Sequence, residues 1–215
     1  MAVLRRPRDF WSSVTHLAGC AASLVVTAWL VWAARGGLWW PFLVFGLSLS
    51  ALYAASGTYH AVRVPPRALE WFRKLDHSSI FVLIAGTYTP VLMLGLSGSW
   101  RVVCLAVIWG IAVLGVGLKM VSVRQSRWVT ALLYVVMGWL SLVVVGQLAA
   151  RLPGSALVSL VLGGVFYTLG AVVYATRKFN PWPGVFGFHE VWHLFVLAGS
   201  AAHVVMMGLI LPLAG

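Results

Sequence analysis

Acidic residues are almost missing from this chain. Only four of its 215 residues are Asp or Glu, and charged residues of both signs make up 9%. A soluble domain carries about a quarter charged residues, so an ordinary water-soluble domain is a poor match, and so is a charged disordered chain. Cysteine is equally scarce. The two present, Cys20 and Cys104, have no CxxC spacing, which excludes a disulfide scaffold and a cysteine zinc site and leaves a small apolar packing role. There is no internal repeat or low-complexity tract. Nor is there a glycine-rich phosphate loop, a nucleophile elbow or a nucleic-acid motif.

What is present is apolar: 61% hydrophobic residues and a mean hydropathy of +0.96. About 20 apolar residues make one bilayer crossing, and the chain contains seven such stretches. They run over Val14–Ala34, Leu38–Val62, His77–Leu96, Val102–Val121, Trp128–Ala149, Ser155–Thr176 and Phe188–Leu211. The breaks between them carry turn chemistry at Gly36-Gly37, Pro65-Pro66, Ser97-Gly98-Ser99, Pro153-Gly154 and Asn180-Pro181-Trp182-Pro183. Seven spans use nearly the whole chain, so the expectation is an all-α integral membrane protein, residues 1–215 forming one seven-helix transmembrane domain. Trp11, Trp32, Trp39, Trp40, Trp71, Trp100, Trp128 and Trp182 fall near helix ends, where interfacial tryptophan belongs.

The net charge of +11 is an orientation signal. Twelve Lys and Arg lie in alternate connections: Arg5, Arg6 and Arg8; Arg63, Arg67, Arg73 and Lys74; Lys119, Arg124 and Arg127; Arg177 and Lys178. The other connections hold only Arg35, Arg101 and Arg151. The positive-inside rule then places the N-terminus in the cytoplasm and the C-terminus outside, and six or eight spans would scramble the alternation. A cleaved signal peptide is the rival for the first segment. Its apolar run exceeds a 7–15-residue signal core and ends in no Ala-x-Ala site, so a retained span is expected.

Ionisable groups inside spans are costly and mark sites. His189 and His193 are four residues apart, on one helix face and separated by about 6 Å along the axis. Ser56 and His60 repeat that spacing at the end of the second span, and Asp76 opens the third. The charge pattern puts all of these at the cytoplasmic ends of their helices, at similar depth. Three neutral imidazoles and a carboxylate at one depth suit a tetrahedral zinc with an open position. His16, His77 and His203 read instead as interhelical hydrogen-bonders. His203 lies about 21 Å deeper than His189 by helical rise. Glu190 points away from the His189/His193 face, toward a loop cation.

Four segments carry a resemblance: Ser56-Gly-Thr-Tyr-His60, Lys74-Leu-Asp76-His-Ser-Ser-Ile, Ala85-Gly-Thr-Tyr-Thr-Pro90 and Gly187-Phe-His189-Glu-Val-Trp-His193. Together they resemble the hemolysin III family, bacterial relatives of the progestin and adiponectin receptors and, more distantly, of alkaline ceramidases. The resemblance covers all seven spans. It implies a zinc ion held by His60, His189 and His193 near the cytoplasmic face of the bacterial cell membrane, with Asp76 toward the zinc-bound water and Ser56 alongside. Thr15-His16 resembles the family's first-helix entry, and His203 matches a recurrent later histidine. The chain departs from the family upstream of Thr-His. A Glu and an Asn are usual there, and this chain reads Asp9-Phe-Trp-Ser-Ser-Val-Thr15-His16.

A three-ligand zinc activates water and polarises a carbonyl, which makes Asp76 the general base and Ser56 an orienting group. The functional expectation is a zinc-dependent hydrolase of lipid amide or ester bonds, with a membrane lipid as substrate and no nucleic-acid partner. The rivals are a receptor or lipid-homeostasis regulator with structural zinc, and a pore-forming cytolysin. Two further expectations concern architecture. Pro90 should bend the third helix, with Thr87 and Thr89 satisfying freed backbone groups. Gly110, Gly115, Gly117, Gly163, Gly164 and Gly170 should permit close helix contact.

Overall fold

The structure is a computed structural model that describes residues 8–34 and 37–215. Arg5, Arg6, Arg35 and Gly36, used above for charge and turn assignments, lie outside the described residues. Seven helical segments are long and apolar enough to cross a membrane. Five are single helices, α1 (Phe10–Ala33), α2 (Trp39–Ala61), α3 (Pro66–Gly95), α4 (Gly98–Val121) and α7 (Gly154–Thr176), and the last is α8 (Phe188–Ile210) closed by a 3₁₀ turn (Leu211–Ala214). The remaining span is α5 (Arg127–Trp139), a 3₁₀ turn (Leu140–Val144) and α6 (Val145–Ala149). Among the described residues the only β feature is an isolated bridge between Trp182 and Phe186.

Helix α3 organises the bundle. It packs on α2, α4, α5, α6 and α8, while α1 bridges α2 and α8, and α7 joins α8 to α5. Its apolar window is 72% buried, against 22% for α4. Phe42, Phe45, Leu49, Phe81, Leu92 and Met206 are the large buried side chains around it. Outward faces stay apolar, as at Val25, Val113, Leu114 and Val121, which is the pattern of a surface solvated by hydrocarbon rather than water. All eight tryptophans expected near helix ends are exposed. Cys20 and Cys104 are free thiols.

The third helix begins eleven residues before the expected His77. Pro66 sits in its first turn, where a missing N–H costs nothing and the fixed φ suits a helix start. The helix then carries Glu70, Arg73 and Lys74 ahead of its apolar part. Hydropathy marked the stretch solvated by hydrocarbon, not the helix end. The fifth span is interrupted because the Tyr88 hydroxyl inserts into its ladder. It accepts from the Ser141 N–H at 2.7 Å and donates to the Met137 and Gly138 carbonyls at 3.1 and 2.8 Å. That replaces the Ser141-to-Met137 α-helical bond, a known cause of a local break.

Helix α3 runs unbroken through Pro90. Thr87 and Thr89 do not reach the Gly86 carbonyl that Pro90 leaves without its amide. Their hydroxyls bond back one turn to Leu83 and Ala85, at 2.8 and 2.9 Å, and Thr89 also accepts from the Trp109 indole at 3.1 Å. Of the six glycines expected at helix contacts, Gly115 faces the Phe81 ring, Gly163 the His203 ring, Gly164 the Trp139 ring and Gly170 the Phe195 and Trp192 side chains. Gly110 and Gly117 face open space, because a small residue suits a lipid-facing position as well as a contact.

Candidate metal centre

His60 closes α2, and His189 and His193 lie in the first two turns of α8. His60 and His193 are buried, at 3% and 2% exposure. One ring nitrogen from each of the three lies within 4.8 Å of the others, and the Nε2 atoms of His189 and His60 are 3.1 Å apart. Tetrahedral coordination with bonds of about 2.0–2.1 Å puts ligand nitrogens roughly 3.3 Å apart, so small ring rotations bring this set onto one ion. The donors suit it: neutral imidazoles are the ligands of borderline metals such as zinc.

Local structure explains the pose. The Asp9 carboxylate accepts a hydrogen bond from His60 Nδ1 at 2.8 Å, which leaves Nε2 to face the other two rings. The Asp9 amide donates to the His60 carbonyl at 3.0 Å, so the entry of α1 grips the end of α2 through side chain and backbone. Ser13 adds a bond to the Gly57 carbonyl at 3.2 Å. The hydrogen bond from His60, and then the Arg8 guanidinium at 2.9 Å, hold the Asp9 carboxyl down at about 2. The start of α8 is fixed by Glu190. Its carboxylate accepts from the Gly187 amide at 2.8 Å and from the Ser12 hydroxyl at 2.9 Å. Glu190 therefore serves the backbone and α1, not the loop cation expected for it.

The histidines open into a cavity of about 420 Å³ that Ser56 and Asp76 also line. The Ser56 hydroxyl lies near the Asp76 carboxylate on this wall. Asp76 stands on the cavity wall outside the three-nitrogen cluster, so the expected group of three imidazoles and a carboxylate resolves into a histidine set and a separate acid. Below this cavity lies a second one of about 120 Å³, with apolar walls from α3, α5, α7 and α8. The two share Leu52, Ile80, Tyr134, Trp192 and Val196, so polar and apolar chambers adjoin.

The three histidines set aside as hydrogen-bonders behave differently from one another. His203 fits that role, with Nε2 at 3.3 Å from the Leu160 carbonyl. His16 instead stacks on His193, with centroids 3.7 Å apart and planes 12° apart, and neither of its nitrogens meets hydrogen-bond geometry. His77 lines the cavity with Nδ1 unbonded. Composition could not show this, because burial beside other imidazoles is a tertiary fact. Asp9, Arg73, Arg127, Tyr59 and Tyr174 also line the cavity, and no spacing pattern singled them out.

A seven-helix membrane protein with a buried three-histidine site able to hold a metal ion is thus the class defined by fold and site. The chain belongs to the hemolysin III family: residues 4–204 match the family model described as Haemolysin-III related. It is 35% identical over 195 residues to the Hemolysin-3 homolog of Bacillus subtilis, covering 89% of this chain and 88% of that protein. It is 40% identical over 162 residues to Hemolysin-3 of Bacillus cereus, covering 74% and 70%. The similarity extends to plants: heptahelical transmembrane protein ADIPOR2 of rice is 30% identical over 194 residues, covering 80% and 82%. With its seven apolar helices and its bacterial relatives, this is a multi-pass protein of the bacterial inner membrane.

Proposed function

We propose that the chain is a zinc-dependent hydrolase of lipid amide or ester bonds whose arginine-rich end faces the cytoplasm. One observation carries the reading: the three histidines, Asp76 and Ser56 line one cavity, and an apolar chamber adjoins it across Leu52, Ile80, Tyr134, Trp192 and Val196. An enzyme acting on a lipid needs polar chemistry at the head of an apolar slot. His60, His189 and His193 would hold the zinc, which when bound supplies a Lewis acid that activates water near neutral pH.

The chain's own groups do the rest. Asp76 takes a proton from the attacking water as the acyl carbon is attacked, and returns it to the leaving amine or alcohol as the C–N or C–O bond breaks. The Ser56 hydroxyl, near that carboxylate, would orient it for the exchange. Leu52, Ile80 and Val196 stand between the polar cavity and the apolar chamber and would keep bulk water away from the acyl chain. The enclosing helices admit the lipid from the leaflet beside the arginine-rich end.

A second reading has its own support. The histidines come from α2 and α8, helices that each pack chiefly on other neighbours, so an ion there would staple them without chemistry, as in a receptor or regulator. The test is metal analysis of the purified full chain, followed by incubation with ceramides and glycerolipids and mass spectrometry of the products. Wild type is expected to hold stoichiometric zinc and to release fatty acid. His189→Ala with His193→Ala is expected to lose both. Asp76→Asn is expected to keep zinc and lose turnover. Zinc without any product, with thermal stability falling on chelation, overturns the enzyme in favour of the staple. Leakage of liposomes on addition of the protein would instead support lysis, the activity in the bacterial relatives' name.

A further inference from the structure

Three carboxylates line the histidine cavity, and two of them are already bonded. Asp9 is bound to His60 and Arg8, and Glu190 to Ser12 and the Gly187 amide, while Asp76 lies near Ser56. Two cations on the same wall are not bonded in this way. Arg73 lines the cavity one helical turn from Asp76, with which it interacts electrostatically, and among the described residues it makes no hydrogen bond and no ion pair within 4 Å. Arg127, the first residue of α5, lies with its guanidinium 5.4 Å over both the Tyr174 and Phe188 rings. That pose fixes the group beside His189, yet its Nη1 is buried with no hydrogen-bond partner. A buried guanidinium N–H without an acceptor costs free energy, and such a group calls for an explanation.

We propose that Arg73 and Arg127 form a phosphoryl-binding subsite at the mouth of the histidine cavity, and that it takes the phosphate of an anionic phospholipid. Two guanidinium forks from separate helices ask for more acceptor oxygens than one carboxylate offers, and arginine forks match phosphate oxygens in pairs. The depth agrees: Arg127 opens the fifth span, where lipid phosphates lie. The neighbouring chamber offers apolar walls to the first part of a chain from the same molecule. The inference rests on the hydrolase reading only in treating the cavity as a lipid site; headgroup capture needs no turnover.

Retention of defined lipids by the full chain, read by native mass spectrometry from detergent micelles, tests it. The probes are dioleoyl phosphatidic acid, dioleoylglycerol, oleate and inorganic phosphate. Wild type is expected to retain phosphatidic acid about tenfold or more over dioleoylglycerol, and Arg127→Gln and Arg73→Gln to lose about that factor. Lys178→Gln, an exposed charge at the same end and off the cavity wall, is expected to change nothing. Arg127→Lys keeps a charge at the site and serves should the glutamine variant not fold. Retention in the His189→Ala/His193→Ala variant alongside lost turnover supports the subsite independently of the chemistry. Product formation by wild type with no preference for phosphatidic acid overturns the subsite and leaves the hydrolase standing. Equal retention of phosphatidic acid and dioleoylglycerol, or arginine variants that match wild type, overturns the proposal. Oleate retained as well as phosphatidic acid overturns the phosphate assignment. Inorganic phosphate displacing phosphatidic acid at equal concentration overturns the lipid as its source.

Discussion

At the scale of single residues, the centre depends on groups that hold ligands as much as on the ligands. The Asp9 carboxylate sets which nitrogen of His60 faces the other rings, and partners of this kind raise ligand basicity and fix ring orientation. Asp9→Ala is therefore expected to weaken metal affinity by about 10–100-fold, read by competition with a chelator, while metal still binds; unchanged affinity would remove Asp9 from the centre. The histidines themselves were legible in the sequence, because the i,i+4 spacing of His189 and His193 and the alternating charge together fix face and depth. Asp9 was not. Its partner is 51 positions away, and it stands in the one stretch where the chain departs from the family pattern. The stack of His16 on His193 and the two cavity arginines escaped for the same reason: long-range contact leaves no local period.

Among the helices, the seven spans were readable because a bilayer-length apolar run is a strong signal, and their ends were not, because a helix does not stop where hydrocarbon does. Residues 66–76 of α3 show this, carrying charge within the helix ahead of its apolar part. The break between α5 and α6 was invisible for another reason, since its cause is a hydroxyl on α3. Tyr88 takes the Ser141 amide and gives its proton to carbonyls one turn back. Tyr88→Phe deletes that bridge and leaves a buried amide without its acceptor. The expected cost is about 1–3 kcal/mol, seen as a lower thermal unfolding midpoint in detergent. If α5 re-formed a continuous ladder, the cost would vanish, and the break would prove to be set by the helix itself.

The whole molecule shows a polarity that its parts do not. Ten described Lys and Arg lie in the connections and helix ends beside the histidines, from Arg8 to Lys178, whereas Arg101 and Arg151 lie at the opposite end. Since α4 runs between those ends, the residues flanking it must face opposite compartments once the bundle is in a bilayer. The positive-inside bias then predicts that Ser126, before α5, is cytoplasmic and Ser99, in the first turn of α4, is external. Both are exposed. With Cys20 and Cys104 replaced by Ser, a membrane-impermeant maleimide applied to intact spheroplasts is expected to label Ser99→Cys and spare Ser126→Cys, and inverted vesicles to give the opposite pattern. Labelling of Ser126→Cys alone in spheroplasts would turn the bundle over and put the histidine cavity at the outer leaflet, where the lipids available to it differ. Labelling of both from one side would mean that α4 does not cross. The outcome fixes which leaflet the cavity adjoins, because the cavity lies at the end where α1 begins, α2 finishes and α8 begins.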